Sequence, residues 1–508
     1  MEEQPGSLYE KVLRHQGETP VRASAAVIPW RRRGEGIEVY WVRRAETLAF
    51  MGGWHAFPGG GLSRSDAAIP VTGEPSGLGE LPPAAGFPES LVDEPGPDII
   101  PGLVACAIRE LHEETGILLE DASRLVWAGR WLTPPFAPMR FDNRFFLLEW
   151  PESEPVQPSV TPGELAEGEW IDPLAAWEAW RSGAVLTAPP ILHILDVLAH
   201  DGPDRGLGRL RNPEETNLGP FRRIEMRPGI LMFPLATHTL PPASTTNCYL
   251  LGNGEAVLVD PGSPIDAENE RLERALAVAR ERLGRRVTAI WLTHHHPDHI
   301  GGVERLRRSL GVPVLAHPAT AERLAGRGIK IDGELQDKQR IELAGDPPMT
   351  ILVLHTPGHA RGHLCFLEED QRATLVGDLV AGLGTIVIDP PEGDMDDYIA
   401  SLARLAVMHP GTLFPAHGPA ILNGRGKLRE YVDHRLAREA KVLAAWNEGL
   451  HEPSEMLPKV YEDTPRPAWP LAERQILAHL DRLRRTGRLG EWPADLPDMP
   501  DEEQEPNA

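Results

Sequence analysis

The stretch Thr293 to His299, THHHPDH, places four histidines and one aspartate within seven residues. The apolar run before it, Val287 to Leu292, predicts a buried strand. A strand delivers the residues that follow it to one end of a sheet, a usual place for a site. In an extended segment His294 and His296 point to the same side, so two imidazoles can reach one ion. His295 points the other way and is expected not to ligate. Asp298 and His299 follow the bend at Pro297.

Further donors come later in the chain. His359 lies in LHTPGHARGH, Asp378 in LVGDLV and His417 in FPAHGP, while Asp260 lies upstream in AVLVDPGS. This order of H-x-H-x-D-H, His, Asp and His resembles the metallo-β-lactamase superfamily. The resemblance implies an αββα sandwich over about residues 223–428. It gives one Zn2+ to His294, His296 and His359, and a second to Asp298, His299 and His417, with Asp378 bridging. Asp298 is expected to serve catalysis as well as ligation, and Asp260 to stand behind the ligands. His317, His355 and His363 are expected to be structural. Several β-lactamases carry Cys where Asp378 stands; the Asp resembles glyoxalase II, lactonases and nuclease-like members. The chemistry implied is hydrolysis of an ester, thioester or phosphodiester.

A second motif lies far upstream. In VACAIRELHEETGI, residues 104–117, Val104, Ile108 and Leu111 form one helical face, and Glu110, Glu113 and Glu114 gather on the other. Gly116 is a natural helix stop. Clustered carboxylates repel one another, and a hard divalent cation relieves that. Its RELHEETGI part resembles the second half of the Nudix box. The glycine loop of that box, FPGGGLSRSD at residues 57–66, is separated by roughly forty residues, and Asp66 stands where the box has Glu. Such an interruption resembles the Nudix branch acting on coenzyme A and its esters. RAETLAFMGGWHAFPGG is similar to the coenzyme A signature at Arg44, Ala45, Gly53, Phe57, Pro58, Gly59 and Gly60, and departs at Ala49. The resemblance covers most of residues 23–200 and implies a Nudix α/β/α sandwich. Glu110, Glu113 and Glu114 would hold Mg2+ or Mn2+ against a diphosphate, with Arg109 orienting them. Gly59, Gly60 and Arg44 would contact the substrate.

Residues 62–101 read as an insertion, rich in Pro and Gly and without Lys or Arg from Ser65 to Ile108. A long loop closes almost as readily as a short one, since the entropy grows as ln n. The insertion is therefore expected to be a mobile flap or spacer. Residues 201–222 read as a linker and 496–508 as a disordered acidic tail. Residues 429–495 resemble the winged-helix tail of lactamase-beta-like-2 proteins, with Val432, Leu436 and Leu443 on one stripe and Ile476, Leu480 and Leu483 on another. Ser454 is placed to cap the short helix between them. Some of those relatives cleave single-stranded RNA, and Arg482, Arg484, Arg485 and Arg488 could contact phosphate.

The 508 residues carry a net charge of −24, which argues against non-specific binding to nucleic acid or anionic membrane. Three separated cysteines suggest a reducing compartment, and no apolar run is long enough to span a bilayer. A soluble, cytoplasmic, multidomain α/β and α+β enzyme is expected. Its first site would cleave a small-molecule diphosphate, with coenzyme A or an acyl-coenzyme A favoured. Two alternatives stand beside this: an RNA-processing enzyme with a nuclease zinc site, and a nucleotide-sensing Nudix module attached to a zinc hydrolase.

Overall fold

The computed structural model describes residues 21–45, 48, 51–78, 99–133, 140–151, 158–160, 163–382 and 384–489. Two compact units divide the chain at Leu231/Met232. Among the described residues no helix is long and apolar enough to cross a membrane.

The first unit is built on the strand Val21–Arg33, whose middle is wholly buried. One edge pairs in parallel with Arg140–Glu149 over ten residues. The other edge is shared: Ser24, Ala25 and Ala26 pair with the glycine strand Gly59–Gly61, and Trp30 to Arg33 pair with Gly36–Arg44. Val27 donates to Pro58 O on that shared edge, so Pro29, two residues on, faces the same way. Its missing N–H thus falls between the two partners, where no ladder bond is required. The helix Ile99–Thr115 covers one face, burying Leu103, Val104, Cys106, Ala107 and Leu111 against Ala25, Val27, Trp127 and Phe146. Gly116 ends it at φ +71°. The helix Pro189–His200 covers the other face, with Ile191, Ile194, Leu195 and Leu198 packed on Ile28, Trp41 and Phe145. This is the sandwich expected.

Two expectations are corrected here. Residues 62–78 of the insertion are not a flap. Leu62 donates to Ala23 O, Thr72 and Ser76 form bridges to Asp121 and Val126, and the Asp66 carboxylate is buried on Arg109. This part of the insertion is anchored because its buried aspartate meets the Arg109 guanidinium. Residues 79–98 lie outside the described residues, as do Ala49 and the tail 496–508. Nor does 201–222 stand outside the folded body as a linker. It forms the helices Gly202–Arg205 and Leu207–Arg211 and a hairpin, Asn217–Leu218 with Phe221–Arg222. Leu210 is fully buried in the core beside Leu195 and Val197, and Arg211 donates to Trp127 O at 3.0 Å. One leucine at the right turn outweighs a polar composition.

The second unit carries two sheets. The first runs in order through Ile230–Ala236, Thr245–Leu251, Glu255–Val259, Arg286–Trp291, Val314–Ala316 and Gly333–Glu334. The second runs through Arg340–Leu343, Met349–His355, Leu364–Glu368, Ala373–Gly377 and Leu413–Pro415. Trp291 of the first meets Phe366 of the second at a ring separation of 5.1 Å, and Tyr249 meets Phe414 at 6.0 Å. The helices Asp266–Leu283 and Val303–Leu310 lie against Arg286–Trp291, and Met395–Val407 joins the core of the second sheet.

The tail comprises the helices Gly424–Asn447, Pro453–Val460 and Trp469–Arg485 around Val442, Met456, Val460, Ile476, Leu480 and Leu483. The last stripe is as expected. The first is corrected, because Leu436 is 41% exposed while Leu428, Tyr431, Arg435, Arg438, Glu439 and Val442 are buried. The buried face includes charged groups because each finds a partner (described below), so hydropathy alone misplaces it. Ser454 does not cap the short helix; Glu452 holds that position without a side-chain bond, and Pro453 begins the first turn.

Candidate functional site

Every donor anticipated in the second unit follows the C-terminal end of a strand. Arg286–Trp291 is followed by His294 and His296, Met349–His355 by His359, Ala373–Gly377 by Asp378, and Leu413–Pro415 by His417. His294 Nε2 and His359 Nε2 each lie 2.9 Å from His296 Nδ1. In a second group, His417 Nε2 lies 3.5 Å from Asp298 Oδ2, and His299 Nε2 lies 3.9 Å from it. Asp378 stands between the groups. Its Oδ1 is 3.3 Å from His417 Nε2 and 3.6 Å from His299 Nε2, and its Oδ2 is 3.5 Å from His359 Nε2. Ligands about 2.1 Å from a tetrahedral ion stand about 3.4 Å apart, close to these separations.

The outer atoms of the rings are tied down, which leaves the inner atoms facing the cluster. His294 Nδ1 lies 3.0 Å from Thr293 Oγ1, His299 Nδ1 2.8 Å from Asp260 Oδ2, His359 Nδ1 2.8 Å from Val387 O, and His417 Nδ1 3.1 Å from Thr245 O. Asp260 also accepts from the Thr293 N–H at 2.8 Å. It does so at φ +49°, where a non-glycine residue is strained. His299 Nε2 and Asp378 Oδ1 are buried without a hydrogen-bond partner among the described residues. Facing orphans of this kind, with a histidine-rich donor set, suit a divalent ion such as Zn2+.

The electrostatics agree. Burial holds His294 and His296 well below the usual imidazole range, so both are neutral, the form that ligates. Burial would lower His299 too, but Asp298, Asp378 and Asp260 outweigh it and raise the ring well above that range. Burial would raise Asp378, yet His417 and His299 hold it well below the ordinary carboxylate value.

The other histidines of these motifs are members of none of these groups. His363 Nε2 accepts the Asp378 N–H at 3.0 Å and so holds the backbone at that aspartate. His317 and His355 stack at 4.0 Å, away from the ligand triads. His295 is buried among none of the triads. Sequence reasoning missed Thr246, whose hydroxyl donates to Asp298 Oδ2 at 3.2 Å, and Val387, whose role runs through its backbone and leaves no trace in residue type.

In the first unit the Nudix residues are gathered differently. Arg109 Nη1 donates to Glu110 Oε1 and to Glu113 Oε2, each at 2.8 Å. Glu114 accepts the Gly59 N–H at 2.8 Å. A Cβ at Gly60 would strike the Glu110 carboxylate, so the glycine loop and the helix meet as expected. The three glutamates are oxygen donors of the type Mg2+ takes. Their oxygens do not converge, however: the metal-competent triads among the described residues all lie in the second unit. Burial pushes Glu114 up to about 8, opposed by the Gly59 N–H and reinforced by Glu110. Arg44 and Glu164 also bear on Glu114 electrostatically, and Glu164 was not anticipated. Asp66, the departure from the box, binds Arg109 through two bonds.

Comparison with known proteins gives three family matches. The metallo-beta-lactamase superfamily matches residues 241–417, the beta-lactamase associated winged helix domain 453–491 and the NUDIX domain 102–188. The chain is 30% identical to the Beta-lactamase-like protein 2 homolog of Drosophila melanogaster, over 48% of this chain and 84% of that one. It is 31% identical to Lactamase-like protein adaB of Aspergillus niger, over 48% of this chain and 69% of that one. It is 35% identical to the Atrochrysone carboxyl ACP thioesterase of Aspergillus chevalieri, over 40% of this chain and 61% of that one.

Proposed function

The chain belongs to the metallo-beta-lactamase superfamily, and on that premise we propose that it is a two-centre hydrolase of acyl thioesters of the coenzyme A kind. At the coarser level it is a metal-dependent hydrolase that also carries NUDIX and winged-helix domains. We assign the Nudix body to residues 23–200, extended by the folded segment to Leu231. The metallo-β-lactamase fold follows to 428, and the winged-helix tail spans 429–495.

One observation carries the reading: the two oxygens of Asp378 face different ligand sets. Two divalent ions bound there, Zn2+ in this reading, would polarise a carbonyl and lower the pKa of water. His294, His296 and His359 would hold one ion, and Asp298, His299 and His417 the other. Thr246 fixes the Asp298 carboxylate and Asp260 fixes His299 and the Thr293 backbone, so the donors are set before substrate arrives. Hydrolysis adds water across the acyl carbon–sulfur bond: the carbon takes hydroxide, and the sulfur leaves as a thiol with the proton. The thioesterase relative supports this bond over an ester or phosphodiester. An acyl-coenzyme A also contains a diphosphate, the bond class for Glu110, Glu113 and Glu114 with Mg2+ or Mn2+. One substrate class thus accounts for both motifs.

The RNA-processing alternative draws less support. Arg482 pairs with Asp396 and Glu439, Arg484 with Asp481, Arg485 with Asp394 and Asp481, and Arg488 with Glu439. Cations so paired are poor phosphate clamps. The sensing alternative for the first unit is favoured by one observation, the engagement of Glu110 and Glu113 by Arg109. A substrate panel of acyl-coenzyme A, coenzyme A and single-stranded RNA tests all three readings. Thiol release from the first and phosphopantetheine release from the second support the proposal. RNA cleavage without either overturns it, and nucleotide binding without diphosphate cleavage assigns the first unit to sensing.

A further inference from the structure

Residues Thr385 to Asp389 belong to no helix or strand, yet they carry the carbonyl of Val387 that meets His359 Nδ1. Tail side chains fix this segment. Arg435 Nη2 donates to Ile386 O at 2.6 Å and to Thr385 Oγ1 at 3.2 Å. Gln475 Nε2 donates to Ile388 O at 2.9 Å. The carbonyls on both sides of Val387 are therefore held by two different tail helices. The two side chains are joined, Arg435 Nη1 donating to Gln475 Oε1 at 3.0 Å. Arg474 Nη2 extends the grip to Pro390 O at 2.8 Å.

Arg435 is 2% exposed and Gln475 5%. Buried polar groups are costly unless hydrogen-bonded, and apolar residues would pack such a seam more readily. These partners lie on the short stretch that orients a metal-facing imidazole. Arg435 also stacks on the Tyr398 ring at 5.3 Å, and the Tyr398 hydroxyl donates to Leu379 O at 2.7 Å, next to Asp378.

We propose that Arg435 and Gln475 are positioning residues for the metal group of His294, His296 and His359. They fix the Val387 carbonyl, and the carbonyl sets the ring orientation and tautomer of His359. The tail is thus part of the metal site's support. The proposal rests on the reading of those three histidines as ligands.

The test uses the full-length chain and Zn2+ binding measured by competition with a chromogenic chelator. Arg435→Met and Gln475→Leu are each expected to weaken one of two bound equivalents about 10- to 100-fold and to leave the other unchanged. Arg438→Met is the control. Arg438 is buried in the same helix, but it bonds Asp463 and Val460 O. It should lower the melting temperature and leave both affinities intact. Wild-type affinity for both ions in folded Arg435→Met or Gln475→Leu overturns the proposal. So does an equal loss in Arg438→Met, which would mark a general effect of tail stability. A wild-type chain that binds fewer than two ions would instead overturn the ligand reading beneath it.

Discussion

Asp66 and Arg109 lie 43 positions apart and meet in a two-bonded ion pair, Nε to Oδ1 at 2.6 Å and Nη2 to Oδ2 at 3.1 Å. The remaining donor of Arg109, Nη1, spans Glu110 and Glu113. The aspartate thus sets the arginine, and the arginine sets two glutamates. The Asp66 side chain is fully buried, so Asp66→Asn removes the charge opposite a cation that is only 20% exposed. A loss of about 2 kcal/mol is expected, below the range for fully buried pairs because Arg109 is partly solvated. Mg2+-dependent coenzyme A cleavage should fall at least about tenfold. Denaturant melts and product assays measure the two effects. Unchanged turnover in a destabilised variant would reduce the pair to packing.

The two loop glycines should behave differently. A methyl at Gly59 would collide with the backbone of Ala25 and Ala26, which cannot swing away within a paired strand. A methyl at Gly60 would collide only with the Glu110 carboxylate, the far end of a flexible side chain. Gly59→Ala is therefore expected to cost about 1–3 kcal/mol of stability. Gly60→Ala should fold near normally and lose turnover through a displaced Glu110. A Gly60→Ala variant with full activity would show that Glu110 need not stand where it does.

The candidate donors could be picked out in sequence because ligands must be particular residue types, and the structure brings them together at strand ends. THHHPDH, His359, Asp378 and His417 stand in that order in the chain. Asp66 was noticed as a departure, but its partner was not, because the ion pair crosses the insertion. The burial of Leu210 and Arg435 was illegible for a related reason. Periodicity reports which face of an element is apolar, not whether a neighbour supplies a carbonyl or a core to meet it. Val387 acts through its backbone, and a backbone group has no sequence signature.

Glu439 gives the tail a pH dependence. Burial would raise its carboxyl, but His479 and Arg482 outweigh that and hold it at about 2. A carboxyl held below its ordinary value of 4.5 stabilises the fold above that pH. The contribution is lost as pH falls from 4.5 towards 2, over which stability should drop by about 2–3 kcal/mol. Glu439→Gln should be less stable at neutral pH and show a shallower loss in that window, read by calorimetry across the acid range. A variant with the wild-type acid profile would place the acid sensitivity elsewhere.

The two centres should be chemically separable. Glu113 and Glu114 are carboxylate donors on the helix Ile99–Thr115, suited to Mg2+ or Mn2+, whereas the second centre is rich in imidazole. They also lie in different compact units. Glu114→Gln keeps the shape of the side chain and can still accept the Gly59 N–H, so the loop stays in place. It should abolish phosphopantetheine release from coenzyme A and leave thioester hydrolysis within about twofold of wild type. Asp378→Ala removes the carboxylate between His359 and His417, and should do the reverse, with loss of at least one of two bound Zn2+ equivalents. Replacing His294 and His296 together should also release at least one equivalent. Zn2+ binds the folded state alone in this view, so its removal by chelator should lower the melting temperature of the wild type and not of Asp378→Ala to the same extent. If either single substitution silences both reactions in a folded protein, the centres act as one coupled machine. Independent metal dependence of the two rates, Mg2+ for one and Zn2+ for the other, would establish them as two.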